Sequence, residues 1–128
     1  MTKNNSFATI VLGASPNPSR YAFLATKKLL EHNIKTYPVG IRKGKCAELD
    51  IINTQDIIPE IHTITLYLGA DIQANYYDYI LATKPERVIF NPGTENPELI
   101  QLLRSKLPSC KTEHACTLVM LNLNSFKM

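Results

Sequence analysis

Small, polar and basic residues are concentrated in two short stretches of this chain, and both stretches suit the binding of phosphate groups. The first, GASPNPSR at residues 13–20, combines a glycine with Ser15 and Asn17, whose side chains offer hydrogen-bond donors. Arg20, at its end, carries a guanidinium that can hold a phosphate through two parallel hydrogen bonds. The second stretch, GIRKGK at residues 40–45, contains three cations and no acidic residue. Phosphate recognition is therefore the chemistry that these residues predict.

The first of these stretches joins a predicted strand to a predicted helix. Residues 7–12 form a β-favouring run whose continuous apolarity is typical of a strand buried on both faces. Apolar residues then recur at helical spacing from a predicted N-cap at Ser19, and Asn33 is predicted to end the helix in the left-handed conformation. The free N–H groups and the positive dipole end of such a helix favour a bound phosphate.

Further strands are indicated by β-branched and apolar runs. They are predicted at residues 34–41, 62–68 and 87–90, and the end of the chain is predicted to supply a fifth strand at about residues 113–116. Pro38 within the first of these runs predicts that one side of that strand lacks a continuous hydrogen-bond ladder. Residues 42–61 are predicted to form a loop, with a short strand or turn near Ile51 and Ile52.

Two more helices are predicted between these strands. One begins at Asp71, as N-cap, and ends at Thr83. One face of it is predicted to carry Ile72, Tyr76, Tyr79 and Ile80. The other helix follows Asn96 as N-cap, with Pro97 at its first position.

This alternation of strands and helices predicts the fold. Strands separated by helices form right-handed βαβ units around a parallel sheet. A length of 128 residues suits one domain with one core, spanning residues 1–128. We therefore expect an α/β domain of three layers, with a Rossmann-like fold and a five-stranded parallel sheet.

Ligands of such sheets bind beyond the carboxyl ends of the strands, where the strand order reverses. For a chain whose first strand lies in the centre, this point is beside the first strand–helix turn. The loops that meet there are predicted at residues 13–20, 40–46, 68–70 and 91–96. The candidate site is therefore selected by topology as well as by residue type.

The basic loop after the second strand indicates which nucleotide is bound. Domains of this fold that bind NAD usually place Asp or Glu there, to hold the ribose hydroxyls. In this chain the position is occupied by Arg42 and Lys43, with no acid beside them. An additional phosphate on the ribose is therefore predicted, as in coenzyme A (CoA) with its 3′-phosphate or NADP with its 2′-phosphate, and plain NAD is disfavoured.

The charge and composition of the chain indicate which partners and which location to expect. The formal charge of +3 gives no reason to expect nucleic acid as a partner. No apolar run is long enough to span a membrane and residues 1–7 contain no signal core, so a cytoplasmic location is expected. A homodimer is left open, since dimers are common among soluble proteins.

Neither the cysteines nor the histidines predict reactive chemistry. Three cysteines are too few for a disulfide framework, and reduced thiols are expected at Cys46, Cys110 and Cys116. His114 lies between the last two, but a fourth ligand for a zinc site is not evident, so no metal is predicted. The histidines are His32, His62 and His114. None has a nucleophile or a base that could be paired with it, so catalysis is not predicted.

In order and spacing, these motifs resemble those of a known family. Gly13-Ala14-Ser15 is followed by Arg20-Tyr21, then by YPVGIRKG, a glycine turn after the fourth strand, and a helix that opens ENPELIQLL. Residues 8–116 resemble the small stand-alone CoA-binding proteins, which are similar to the N-terminal CoA-binding domain of the succinyl-CoA synthetase α subunit.

This resemblance implies a Rossmann-like domain that binds CoA. Gly13, Ala14, Ser15 and Arg20 would meet the pyrophosphate, and Arg42 or Lys43 the ribose phosphate or adenine side. Residues 67–69 and 91–93 would wall the crevice. The CoA-binding residues implied in this way are Gly13, Ala14, Ser15, Asn17, Arg20, Tyr21, Arg42, Lys43, Tyr67, Gly69, Asn91, Pro92 and Gly93.

The expected function is therefore the binding of a small nucleotide ligand, CoA or acyl-CoA, without catalysis. One alternative is a small NADP-dependent enzyme or redox sensor, although the first turn lacks the later glycines of a dinucleotide site. The other alternative is a regulatory interaction domain with a vestigial pocket, since a fold does not determine a function.

Overall fold

Five strands of the chain pair in parallel to form one sheet, and helices cover both of its faces. The computed structural model describes residues 7–128. In chain order the strands are β1 (Thr9–Leu12), β2 (Thr36–Val39), β3 (Lys45–Cys46), β4 (Leu49–Asp50), β5 (Thr63–Leu66), β6 (Arg87–Phe90) and β7 (Lys111–His114). The helices are α1 (Tyr21–Glu31), α2 (Ala70–Gln73), α3 (Tyr77–Thr83), α4 (Pro97–Lys106) and α5 (Thr117–Asn122), and a 3₁₀ turn (Ala74–Tyr76) joins α2 to α3.

The strand order of the sheet is β2-β1-β5-β6-β7, and every neighbouring pair is parallel. The predicted α/β fold with a five-stranded parallel sheet is thereby confirmed. The middle strand is β5 rather than β1, which was expected at the centre. The order nevertheless reverses beside β1, because β2 lies on one side of it and β5 on the other. The switch point therefore lies next to the first strand–helix turn.

The core lies on both faces of the sheet. β1, β5 and β6 are buried at every position, which explains why their sequences are rich in β-branched and apolar residues. Ile64 and Leu66 point to the face that α3 and α4 cover, whereas Val11 and Ile89 pack with Leu29 of α1 on the opposite face. Burying each such side chain stabilises the fold by about 1.5–3 kcal/mol, so the sheet is a rigid support for its loops.

Pro38 lies in β2, an edge strand of the sheet, which agrees with the prediction that one side of this strand lacks a continuous hydrogen-bond ladder. Its partner on one side is Val11 of β1. On the other side β2 has a single bridge, in which the Ile52 N–H donates to the Pro38 carbonyl at 2.9 Å and the Gly40 N–H donates to the Ile52 carbonyl at 3.1 Å. The predicted short strand near Ile52 is this bridge, and it follows the two-stranded hairpin of β3 and β4.

The predicted N-cap of α1 is wrong by one residue. The cap position is held by Arg20, and no side chain caps the helix. Ser19 instead bonds backwards, since its N–H and its hydroxyl both donate to Asn17 Oδ1, at 3.0 and 2.8 Å. An Asn side chain that captures the N–H two residues on forms a turn of its own, and this competes with capping. The predicted end of the helix is confirmed, with Asn33 at a φ of 60°.

The helix predicted over residues 71–83 is broken in two. Its N-cap is Gly69, and Asp71 lies in the first turn, where its charge still complements the dipole. The 3₁₀ turn interrupts the α-helical hydrogen bonding after Gln73, so the 3.6-residue spacing does not continue from α2 into α3. Ile72 consequently departs from the expected buried face and is 43% exposed, whereas Tyr79 is buried.

The last strand occupies Lys111–His114, two residues before its predicted position. An edge strand buries little surface, and this one carries exposed and half-buried polar residues, so hydrophobicity gave no signal for it. Asn96 caps α4 as predicted, because its Oδ1 accepts from the Leu99 N–H at 3.1 Å. Within residues 7–128, no helix has the length and apolarity needed to cross a bilayer.

Candidate functional site

A cleft of about 540 Å³ lies at the carboxyl edge of the sheet, within the size range of small-molecule sites. Its walls are the loops that follow β1, β2, β5 and β6, together with the first turns of α1 and α2. The ends of these strands are in register, with Leu12 beside Val39 and Leu66, and Leu66 beside Phe90. The cleft therefore contains the strand-order reversal and extends from β2 to β6.

Most of the residues predicted for the site are brought together by the structure. Those that line the cleft are Gly13, Ala14, Ser15, Arg20, Tyr21, Arg42, Tyr67, Gly69, Pro92 and Gly93. The cleft is also lined by Ser19, Ala22, Ile41, Leu68, Ile72 and Thr94. Asn17, Lys43 and Asn91 are outside this lining, and each of them is placed differently in the fold.

Gly13 allows the loop after β1 to pack closely against the loop after β5. Its φ is +106°, and a Cβ at this position would lie 2.9 Å from the backbone of Tyr67. The N–H groups of Gly13 and Ala14 both donate to the Val39 carbonyl, at 2.8 and 3.0 Å. These two amides are thus committed to the scaffold, and a ligand in the first loop has to be held by other groups.

The backbone N–H groups at the N-terminus of α1 are the donors that remain available to a ligand next to the first loop. The first N–H groups of a helix have no acceptor inside it, and no side chain caps them here. Tyr21 and Ala22, in that first turn, line the cleft. Asn17 holds the turn that leads into α1. Its carbonyl accepts from the Arg20 N–H at 3.0 Å, and its N–H donates to Ser15 Oγ at 3.1 Å. The positive end of the helix dipole therefore opens onto the cleft.

The charge of the cleft comes from two arginines. Arg20 and Arg42 are exposed, and neither forms an ion pair with any residue of the described range. None of the lining residues is acidic. Of the other cations in the loop after β2, Lys43 is not a lining residue, and Lys45 is paired with Asp50 at 2.9 Å. The arrangement suits a ligand with at least two phosphate groups.

The loop that carries Arg42 is fastened to the first loop. Cys46, in the hairpin that follows Arg42, is fully buried and packs with Ala14 and Ile51. Its thiol donates to the hydroxyl of Thr26 at 3.4 Å. The hairpin therefore limits the movement of the Arg42 backbone relative to α1, and this pre-organises the cationic side of the cleft.

A buried amide pair, which the sequence did not predict, holds the opposite wall. Gln73 is fully buried, and its Nε2 donates to the Leu68 carbonyl at 2.7 Å and to the Thr94 carbonyl at 2.8 Å. The Oε1 of Gln73 accepts from Asn96 Nδ2 at 2.9 Å. The loops after β5 and β6 are thereby tied together. No local pattern could reveal this role, because the partners lie at least 21 residues away except for Leu68.

Asn91 is a brace between elements, and its side chain has no group left for a ligand. Its Nδ2 donates to Thr65 Oγ1 at 2.6 Å and to the Leu66 carbonyl at 2.8 Å. Its Oδ1 accepts from the Thr117 N–H at 2.8 Å. With an exposure of 2%, Asn91 joins the ends of β5 and β6 to the start of α5.

The hydroxyl of Tyr67 is a hydrogen-bonding group and stays protonated at neutral pH. Burial raises its pKa to about 12, and hydrogen bonds with Thr117 and Thr65 oppose this rise only in part. Cys116, at the N-cap of α5, lies close enough to contribute a small further rise in the pKa. Tyr67 therefore supplies a polar wall and is no base at physiological pH.

Within residues 7–128, no histidine or cysteine is a lining residue of the cleft. No group of three His, Cys, Asp or Glu residues within that range is placed to hold a metal ion. Cys46, Cys110 and Cys116 are free thiols. His62 lies before β5 near Glu86, and His114 packs its ring 5.3 Å from that of Phe90.

The family model described as a CoA binding domain matches residues 8–122. This chain belongs to that family. The CoA binding domain here has its candidate cleft where the topology of the fold predicts a ligand, and residues of every loop of the cleft fall inside the matched region.

Solved structures resemble this CoA binding domain over almost their whole length. One, described as an uncharacterized protein, shares 43% sequence identity with a TM-score of 0.90, and the match covers 94% of this chain and 98% of that one. A hypothetical protein from Pyrococcus horikoshii has 21% identity, a TM-score of 0.81, and coverage of 96% and 92%. A protein from Thermus thermophilus has 18% identity, a TM-score of 0.77, and coverage of 97% and 93%. The last two show the fold alone. No curated protein matches the chain.

Proposed function

We propose that this protein binds CoA or acyl-CoA in the cleft and does so without catalysing a reaction. The observation that carries the proposal is the pairing of Arg20 and Arg42 with an uncapped helix N-terminus, in a cleft whose lining has no acidic residue. These groups match a ligand with a pyrophosphate and a separate phosphate. Membership of the CoA binding domain family supports the same ligand.

The positions of these groups suggest how the ligand lies. The pyrophosphate meets the N-terminus of α1 and Arg20, and the 3′-phosphate meets Arg42 in the loop after β2. The pantetheine arm then crosses β1 and β5 towards β6, where Leu68, Ile72 and Pro92 offer an uncharged surface. A phosphorylated end and a largely apolar arm are thereby matched to the two ends of one cleft.

The side chains of the cleft favour binding over catalysis. Its lining contains no His, Lys, Cys, Asp or Glu, so it lacks the acid and base pairs that proton transfer requires. The Ser15 hydroxyl accepts from the Asn17 N–H, and no base stands beside it in the lining that would activate it as a nucleophile. The Tyr67 hydroxyl, which lines the cleft, stays protonated because burial raises its pKa to about 12.

Isothermal titration with CoA, dephospho-CoA and NADPH tests the proposal. We expect CoA to bind, and dephospho-CoA to bind about tenfold or more weakly because it lacks the phosphate that meets Arg42. Equal affinity for CoA and dephospho-CoA would remove the role assigned to Arg42. Tighter binding of NADPH than of CoA would favour a dinucleotide protein. The absence of binding by all three compounds would contradict the proposed function.

A further inference from the structure

Charge is distributed unevenly along the cleft. Arg20 and Arg42 lie on the side of α1 and β2, and the loops after β5 and β6 contribute only uncharged residues to the lining. Three strand spacings separate β2 from β6, which amounts to about 14 Å. An extended pyrophosphate and pantetheine arm is long enough to cross this distance, so the thiol end of the ligand reaches the loop after β6.

At that end of the cleft, an exposed carboxylate just outside the lining, that of Glu95, is hydrogen-bonded to a lining residue. Both oxygens of Glu95 accept from the N–H of Gly93, Oε1 at 3.1 Å and Oε2 at 3.3 Å, and Gly93 itself lines the cleft. The backbone N–H groups of Glu95 and Gly93 and the charge of His114 hold the pKa of Glu95 below its usual range. Glu95 is therefore ionised at neutral pH, and its hydrogen bonds to the loop restrict where its charge can move.

We propose that Glu95 determines which acyl groups the cleft accepts, and that it selects CoA and thioesters with uncharged acyl groups against thioesters that end in a carboxylate. This inference rests on the proposed function, because it takes the orientation of CoA from it. The physical basis is the repulsion between two negative charges at a wall whose lining has no Lys or Arg to offset it. A terminal carboxylate would also compete with Glu95 for the N–H of Gly93.

Butyryl-CoA and succinyl-CoA form a matched pair of probes. Both acyl groups contain four carbons, and a carboxylate in succinyl-CoA replaces the terminal methyl group of butyryl-CoA. We expect the wild-type protein to bind butyryl-CoA about three- to tenfold more tightly in titrations at low salt. The ratio should fall as salt is added, because exposed charges are screened.

The variant Glu95→Gln separates charge from loop structure, since an amide oxygen can still accept from Gly93. We expect the ratio of the two affinities to approach one in this variant. Glu86→Gln is the matched control, because it removes one negative charge at the opposite edge of the sheet, before β6, and should leave the ratio as in the wild type.

The outcomes distinguish this inference from the proposed function. Binding of CoA together with equal affinity for the two thioesters, or an unchanged ratio in Glu95→Gln, overturns the role of Glu95 and leaves CoA binding intact. An equal change of the ratio in Glu86→Gln also overturns it, because the effect would then be one of net charge. The absence of binding by every CoA compound overturns both.

Discussion

Arg42 and Lys43 are adjacent cations that the structure places differently. Arg42 lines the cleft, and Lys43 does not. If Arg42 bonds the 3′-phosphate, then Arg42→Ala should weaken CoA by about 1.5–3 kcal/mol, the range for a charged hydrogen bond, and should leave dephospho-CoA almost unaffected. Lys43→Ala is the matched control and should change CoA affinity by less than about 0.5 kcal/mol, as an exposed surface charge does. Titration calorimetry measures both, and equal losses in the two variants would contradict the assignment.

Asn91 is important for stability, because its amide satisfies three buried groups on two elements, β5 and α5. Asn91→Ala would leave the Thr117 N–H, the Leu66 carbonyl and Thr65 without this partner. We expect the free energy of unfolding to fall by about 2–3 kcal/mol, the cost of buried polar groups that lose their hydrogen bonds. Urea denaturation measures this loss. The exposed Asn53 supplies the control, and a loss in Asn53→Ala as large as that in Asn91→Ala would argue against the brace.

At the scale of elements, the hairpin of β3 and β4 contains a strained turn. Ala47 and Glu48 both have positive φ values, 50° and 83°, and neither is a glycine. Glu48→Gly should stabilise the protein by about 0.5–1 kcal/mol, because relief of the left-handed conformation outweighs the added freedom of the unfolded chain. Thermal unfolding measures the gain. Lys27→Gly in α1 is the control of opposite sign, with a loss of about 1 kcal/mol, and a lower melting temperature in Glu48→Gly would contradict the prediction.

The elements show which sequence signals are decisive. β6 lies at the predicted residues, because its Val88-Ile89-Phe90 run is apolar and buried, which is an unambiguous strand signal. The cap of α4 was also predictable, since Asn96 bonds only three residues along the chain. Ser19 and Asp71 failed as caps because other groups compete locally, the Asn17 amide in the first case and a glycine start in the second. Local signals are reliable where one interaction dominates.

The candidate site could be predicted as a set of loops and only partly as a set of side chains. Topology alone brings the loops after β1, β2, β5 and β6 to one edge. The direction of each side chain depends on contacts distant in sequence, which is why Asn91 was expected in the crevice wall and Gln73 was overlooked. Ile41 offered the one available signal, an apolar residue in a basic loop, and it is 80% exposed at the cleft.

At the scale of the whole molecule, the carboxyl ends and the amino ends of the strands carry different features. The carboxyl edge carries the cleft, and the opposite edge contains a buried arginine that ties down the C-terminal segment. Arg87 is 2% exposed, and its Nη1 donates to the Phe126 carbonyl at 2.8 Å while its guanidinium lies 4.3 Å from the Phe126 ring. Because Arg87 lies at the edge opposite the cleft, variants of Arg87 should change stability with little direct effect on binding.

Two tyrosines on different elements couple the stability of the whole fold to alkaline pH. Burial raises the pKa of Tyr67 and of Tyr79 to about 12, compared with 10 in an unfolded chain. Between these values the folded protein binds more protons than the unfolded chain, so the free energy of unfolding falls as pH rises from about 10 to about 12. The loss should reach up to about 2–3 kcal/mol for each tyrosine. Denaturant unfolding at a series of pH values measures it, and the part of the tyrosinate absorbance that Tyr67 and Tyr79 contribute should rise only as the protein unfolds.

Tyr79→Phe separates the two contributions. Its hydroxyl is buried with no hydrogen-bond partner in the described part of the chain, so removing it should leave stability at neutral pH unchanged or slightly higher. The fall in the free energy of unfolding at alkaline pH should then shrink to the part that Tyr67 contributes. A loss as steep in Tyr79→Phe as in the wild type would mean that Tyr79 ionises freely in the folded state. Such a result would be incompatible with its burial, since a tyrosinate there would have no water to solvate it.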